Sequence, residues 1–308
     1  MLKRITLLVV ILIFAKPAYD IIMEEYALDE ITPTTISPVE VQLSNEEKSS
    51  LTSEETANAP STSLPKKITS VEQLTEAFYY YFSQFEESFT LQYSGSTKNI
   101  DDIIEQASKE ASKRDPFVDG HLSERNIKYS YNMLSAKIEV SQTYLISQDE
   151  VMAVNASINQ LVASIQDENM SDIDKVKFVN DYIVQNTSYS DQTNGSPHSA
   201  YTALAERKAV CQGYALLAQQ MLTALGVESL YVVGYADGVG HAWNLVNLEG
   251  QWYHLDTTWN DPLPDRGKHV RYDYFLVTDS QLAKDHTWER ADYPQANSTK
   301  YAYMQVGR

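Results

Sequence analysis

Three side chains in this sequence of 308 residues have the types, and stand in the order, that acyl transfer through a thiol requires: Cys211, His241 and Asp256. Sulfur attacks a carbonyl as thiolate, so its proton must first pass to a base, and imidazole is the base whose ordinary range lies near neutrality. A carboxylate on the far side of that ring fixes its tautomer and steadies the imidazolium that forms. Cys211 is the single cysteine of the chain. It therefore has no disulfide partner within the chain and cannot belong to a zinc site built on paired cysteines. The bland alternative for a lone thiol is a small buried apolar group. For His241 it is a hydrogen-bonded structural histidine, and for Asp256 a turn or cap residue. What the intervening sequence folds into decides between the two.

Downstream of Cys211, the residues Tyr214, Leu217, Met221, Leu222 and Leu225 recur at helical spacing, and Gly226 is placed to end the run. This predicts a core helix with Cys211 in or near its first turn. The unpaired N–H groups and positive dipole end of such a turn favour a thiolate and can hold an oxyanion forming on a substrate carbonyl. Ser229–Tyr235 alternates as a strand, Asp237-Gly238-Val239-Gly240 is turn material, and His241–Leu248 and Gln251–Thr257 read as strands joined at Glu249-Gly250. A two-residue loop there sets Leu245 opposite His254 and Trp243 opposite Asp256. His241 and Asp256 then emerge on one face as diagonal neighbours about 7–8 Å apart, within reach of a hydrogen bond, whereas a one-residue slip would part them. His254 shares that face and is the strongest competitor for the role of base. His121, His198, His269 and His286 show no comparable partner in the sequence.

The remainder of the chain frames that site. Hydrophobic residues make up 43% of it, enough for one substantial domain or two small ones. With 24 basic against 42 acidic residues the formal charge is -18, which repels phosphate backbones and argues against nucleic acid as a partner; solubility is its plainest use. Lys3-Arg4 and the apolar run from Ile5 to Ala15 read as a signal peptide or uncleaved signal anchor within residues 1–25. That implies an extracellular or cell-surface protein, with membrane or cell-wall association through the N-terminus. Residues 26–67, dominated by Ser, Thr, Glu and Pro from about Thr32 onward, read as a disordered spacer. A small α+β unit is expected over 68–148. It comprises a helix from Val71 to Phe82 capped by Ser70, a strand near Phe89–Leu91, a helix over 99–113, and alternating segments around Ile127–Tyr131 and Ile138–Leu145. Its tyrosines, Tyr79, Tyr80 and Tyr81 among them, suit core packing better than recognition. Residues 149–308 open with two helical patterns, Val151–Ile165 and Asp172–Asn186, and contain the candidate site.

Three strings resemble the core motifs of bacterial transglutaminase-like domains: Ala209-Val210-Cys211-Gln212-Gly213-Tyr214-Ala215, His241-Ala242-Trp243-Asn244, and Trp252-Tyr253-His254-Leu255-Asp256-Thr257-Thr258-Trp259. Order, spacing and neighbours all agree with the family. The resemblance covers about residues 172–288. Asn186 and Tyr189 are similar to an upstream family element, and Phe275-Leu276-Val277, Asp285-His286 and Trp288 to a downstream one. It implies a papain-like core of the α+β class, with a helix-borne Cys211 packed on an antiparallel sheet that presents His241 and Asp256, preceded here by the small α+β unit. The implied activity is acyl transfer from a glutamine carboxamide of a protein or peptide to a primary amine or to water, through a thioester. The family also includes cysteine peptidases and amidases on the same triad, so a hydrolase stands as the runner-up. A non-catalytic surface adhesion or binding module is the third reading. Candidates for the second oxyanion donor and the cleft are Gln212, Tyr189, Asn186, Tyr201 and Trp243. No metal or cofactor is expected: Asp172-Ile173-Asp174 runs straight into a helical pattern and is too short for the calcium loop of animal relatives.

Overall fold

The structure, a computed structural model, describes residues 3–10, 64, 67–165, 170–262 and 269–301. Of the expected signal segment it describes Lys3–Val10, whose backbone forms a strand (β1). The expected spacer lies outside the described residues except for Leu64 and Lys67. No described helix is long and apolar enough to cross a membrane.

The first helix, α1 (Val71–Phe82), starts where Ser70 accepts the Gln73 N–H at 3.3 Å, and it buries Leu74, Ala77, Phe78 and Phe82 along one face. That face and the neighbouring α2 (Ile100–Ser112) belong to one apolar core with an antiparallel sheet ordered β1-β3-β4-β2. Its strands β2 (Ser88–Tyr93), β3 (Leu122–Tyr131) and β4 (Ala136–Tyr144) bury alternate residues, the period expected of a sheet covered on one side. A single-turn helix, α3 (Pro116–Gly120), precedes β3. It opens at Asp115, whose side chain accepts from the Phe117 and Val118 N–H groups.

The second half begins with α4 (Gln148–Ile165) and α5 (Asp172–Asn186), the latter capped by Ser171. A short parallel pair follows, β5 (Ser188–Tyr189) with β6 (Lys208–Ala209), enclosing α6 (Ala200–Ala205). Next comes α7 (Cys211–Ala224), the central helix, on which Tyr214, Leu216, Leu217, Met221 and Leu222 are all buried. Burying each of these side chains contributes about 1.5–3 kcal/mol, which fixes α7 against the sheet. That sheet is antiparallel and ordered β10-β9-β8-β7-β11, from β7 (Ser229–Ala236), β8 (Val239–Leu248), β9 (Gln251–Leu255), β10 (Phe275–Val277) and β11 (His286–Trp288). One apolar cluster runs from Ile68 to Leu276 through both halves, and a smaller one of Val232, Trp243, Leu245, Val277, Leu282 and Ala296 fills the other face of the sheet.

Two expectations shift. The turn between β7 and β8 is only Asp237-Gly238, both at positive φ (47° and 78°), so Val239 and Gly240 join the strand. Strand β9 ends at Leu255 instead of Thr257, because Asp256 leaves the β8 ladder and caps a short helix, α8 (Thr257–Asn260). The first half is fastened to α7 at α3: Gln212 donates to the Gly120 carbonyl at 2.8 Å, and a Cβ on Gly120 would meet Leu216 at 2.3 Å.

Candidate active site

Cys211 is the first residue of α7, and Val210 at the N-cap supplies no side-chain acceptor to the first-turn N–H groups. Helices α1 and α5 use serines for that purpose. A helix start without a polar cap side chain leaves its positive dipole end, and first-turn donors beyond the Cys211 N–H, open to an anion. Two features bring the surrounding backbone close. Gly213 sits where a Cβ would lie 2.8 Å from the Ala209 Cβ and 2.9 Å from the Pro197 carbonyl. The parallel pair β5–β6 sets Tyr189 beside Ala209, and the Tyr189 hydroxyl accepts from the Cys211 backbone N–H. Burial raises the Tyr189 pKa, with the charges of Cys211 and Asp256 adding to the effect, so the phenol keeps a proton to donate.

His241 and Asp256 are positioned by the hairpin. Glu249 and Gly250 both take positive φ, 55° and 78°, as a type I′ turn demands, and Leu245 pairs with His254, the register that alternation implies. Asp256 lies one residue beyond β9. Its N–H bonds to the Tyr274 carbonyl at 3.0 Å, and its Oδ1 accepts from the Trp259 N–H at 3.0 Å. Its Oδ2 lies 2.7 Å from His241 Nε2. With Nε2 on the carboxylate, Nδ1 is the edge left for sulfur, and His241 is hydrogen-bonded to the Cys211 side chain. Burial by itself would push His241 down, but the charge and hydrogen bond of Asp256, with those of Cys211, raise it to about 10. For Asp256 burial works upward, yet the His241 charge and the hydrogen bonds from His241 and His286 hold the carboxyl well below the usual carboxylate range. Trp243 stacks on the imidazole at 5.9 Å between centroids. The arrangement can therefore keep a proton on His241.

The other sequence candidates divide. Tyr189 is brought to the nucleophile. Gln212 is tied at both ends, its Oε1 3.0 Å from His198 Nδ1 and its Nε2 on Gly120, so it fastens elements together instead of lining a cleft. Asn186 turns back to donate to the Tyr182 carbonyl at 2.8 Å. Trp243 is buried and gives its indole N–H to His254 Nδ1 at 3.0 Å, which removes it as an oxyanion donor. Tyr201 stands in the first turn of α6, packed against the core.

Four histidines besides His241 have partners in the structure that the sequence does not show. His254 accepts from Trp243 and so must carry its proton on Nε2, which faces Asp279 at 2.9 Å; with both nitrogens used, it has none for Cys211. His286 lies 3.1 Å from Asp256 and 2.5 Å from Asp285. His121 bonds the Phe117 carbonyl at 2.7 Å and accepts from the Ala200 N–H at 3.0 Å, and His198 is the partner of Gln212. No local pattern announces these pairs, whose members are 11 to 79 residues apart where they join different elements. His241, Asp256 and His286 also hold donor atoms within 4.8 Å of one another, a set that could ligate a metal. Their contacts are already closed by hydrogen bonds of 2.7 and 3.1 Å, so an ion would have to displace the protons between them.

A thiol on a helix start, packed on an antiparallel sheet that delivers histidine and aspartate, defines the papain-like class of α+β fold. Compared with known proteins, residues 159–257 match the model of the transglutaminase-like superfamily. It is similar to the kyphoscoliosis peptidase of Mus musculus, 28% identical over 171 residues, and to that of Homo sapiens, 27% identical over 171 residues; each match takes in 47% of this chain and 26% of the relative. The chain thus spans about a quarter of the length of those relatives. A solved structure described as a TGase shares 17% identity, covering 55% of this chain and 51% of that one at a TM-score of 0.32.

Proposed function

We propose that the chain is a cysteine-dependent acyltransferase that takes the acyl group of a glutamine side chain and passes it to a primary amine or to water. The observation that carries the proposal is the chain of contacts from Asp256 through His241 to a thiol at an uncapped helix start. In the first step His241 holds the thiol proton and the thiolate attacks the carboxamide carbon. The Tyr189 hydroxyl, which accepts the Cys211 N–H and keeps its own proton, is the donor assigned to the oxygen that becomes negative. Collapse of the tetrahedral species breaks the C–N bond; the proton on His241 goes to the departing nitrogen, which leaves as ammonia, and a thioester remains. An amine or water then attacks the thioester, gives a proton to His241, and releases Cys211. The N-terminal pattern of Lys3-Arg4 and the apolar run supports an exported or surface-attached site of action.

The name of the mouse and human relatives, a peptidase, favours a second reading in which the attacked bond is a peptide and the acceptor is water. One experiment separates the two. Wild type and Cys211→Ala are incubated with dimethylated casein and a biotinylated primary amine, while biotin incorporation, ammonia and new peptide ends are followed. Incorporation or ammonia release that requires Cys211 supports the acyltransferase. New peptide ends that require Cys211, without ammonia, replace it with the peptidase.

A further inference from the structure

His286 is the buried histidine beside the triad to which the proposed chemistry gives no role. It stands on β11, which pairs antiparallel to the outer edge of β7 and sets His286 against Ala236. Gly234 admits that strand, since a Cβ there would lie 2.2 Å from the Thr287 carbonyl and 2.8 Å from the Trp243 ring. The His286 ring is held edge-on by Trp259 at 4.6 Å and Trp243 at 5.3 Å. Its Nε2 is 3.1 Å from Asp256 Oδ2, the same oxygen that faces His241 Nε2 at 2.7 Å. Its Nδ1 is 2.5 Å from Asp285 Oδ1, and the other Asp285 oxygen accepts from the Tyr274 hydroxyl at 2.7 Å.

An ionised carboxylate offers only acceptors, so a ring nitrogen facing Asp256 must carry a hydrogen. Two imidazole N–H groups therefore draw on one oxygen, and the pull given to one is withheld from the other. Among the described residues, side-chain bonds to Asp256 come from the Trp259 N–H, His241 and His286. The other ionisable groups around the trio are Cys211 from α7, Tyr189 from β5, Tyr274 and Asp285, and, behind Trp243, His254 with Asp279 and Arg290. Resting on the reading of Cys211, His241 and Asp256 as a reactive triad, we propose that His286 is a positioning residue that shares Asp256 with His241. Its N–H steadies Oδ2 and tempers the carboxylate's hold on the His241 proton, so that this proton can be released to the leaving nitrogen. A ring that served only to fill space would leave the titration of His241 untouched.

Alkylation of Cys211 by iodoacetate between about pH 5 and pH 11 tests this, because an anionic reagent needs both the thiolate and the neighbouring imidazolium, and the alkaline limb then reports loss of the His241 proton. In wild type that limb is expected near the value of about 10 to which His241 is raised. His286→Leu, which removes the donor, is expected to raise the limb by about threefold or more in proton affinity, while His286→Gln, which keeps an N–H, leaves it in place. Coincident limbs in wild type and His286→Leu, or equal shifts in the Leu and Gln variants, overturn the proposal. Nitrogen-15 NMR of imidazole-labelled wild type at neutral pH needs no variant to fold: a protonated Nε2 on His286 is expected, and a bare one overturns the proposal. If His241→Ala leaves the alkylation profile of wild type unchanged, the triad reading itself fails and takes the His286 proposal with it. A His241-dependent profile with an unmoved His286 limb defeats the His286 proposal alone.

Discussion

Sulfur in Cys211 and carboxylate in Asp256 meet opposite edges of one imidazole, and the reactivity assigned to the site follows from that division. His241→Ala is expected to abolish Cys211-dependent turnover. Asp256→Asn should leave a residual rate lower by about 10²–10⁴-fold, since the orienting group does not itself carry the proton. His254→Asn should lose far less, because both nitrogens of His254 are spent on Trp243 and Asp279; an equal loss in steady-state rates would move the base to His254. Because His241 is raised to about 10 in the folded chain from an ordinary 6.5, the folded state holds a proton that the unfolded chain gives up. Its contribution to stability is full below about pH 6.5 and is lost as pH rises through about 10. The margin in Tm of wild type over His241→Ala should accordingly shrink between pH 6 and 10. At this scale the triad is legible in sequence because its residue types are chemically specific and two of its members share a hairpin. His286 is not, since it reaches Asp256 across 30 residues, through a strand that joins the far edge of the sheet and carries no pattern pointing there.

At the scale of elements, the start of α7 is shaped for chemistry at some cost to helix stability. Val210→Asp would supply the missing cap by accepting from the Gln212 or Gly213 N–H, adding about 1 kcal/mol to the helix, while its carboxylate would set a negative charge against the helix end where the oxyanion is proposed to form. The expected outcome is a small rise in Tm together with a fall of about tenfold or more in turnover; unchanged turnover would show that this helix end takes no part. Gly213→Ala works in the other direction. Its Cβ would press on Ala209 and the carbonyls of Pro197 and Ser199, backbone that cannot yield cheaply, so both Tm and turnover should fall despite the better helix propensity of alanine. The hairpin register is legible because strand alternation and the Glu249-Gly250 turn agree, and a slip would turn a whole apolar face outward. The end of β9 is not legible. Thr257, Thr258 and Trp259 are good strand formers, and what stops the strand is the Asp256 side chain, which caps α8 by accepting from the Trp259 N–H.

Across the whole molecule, the first half is joined to α7 and its neighbour α6 by polar contacts that sequence patterns do not show. His121 on one side of the junction accepts from the Ala200 N–H, and Gln212, next to Cys211, reaches Gly120. Burial lowers His121 to about 4, with its bond to the Phe117 carbonyl opposing, so between that value and the ordinary 6.5 the unfolded chain binds a proton that the folded one excludes. Its neutral ring contributes stability that is full above about pH 6.5 and is lost as pH falls to about 4, on the order of 3 kcal/mol in all. Thermal unfolding of wild type should weaken over that window, and His121→Asn should flatten the slope. Periodicity along the chain reads correctly as mixed helix and sheet, whereas the continuity of the apolar core from Ile68 to Leu276 depends on packing between distant segments. Every step of the proposed chemistry depends on Cys211 forming a covalent bond to an acyl group. Mass spectrometry of protein mixed with glutamine-bearing casein peptides and quenched in acid measures that bond directly. A thioester adduct on the Cys211 peptide, absent from Cys211→Ala and strongly reduced in His241→Ala, is the predicted result; an unmodified Cys211 peptide under conditions of turnover would contradict it.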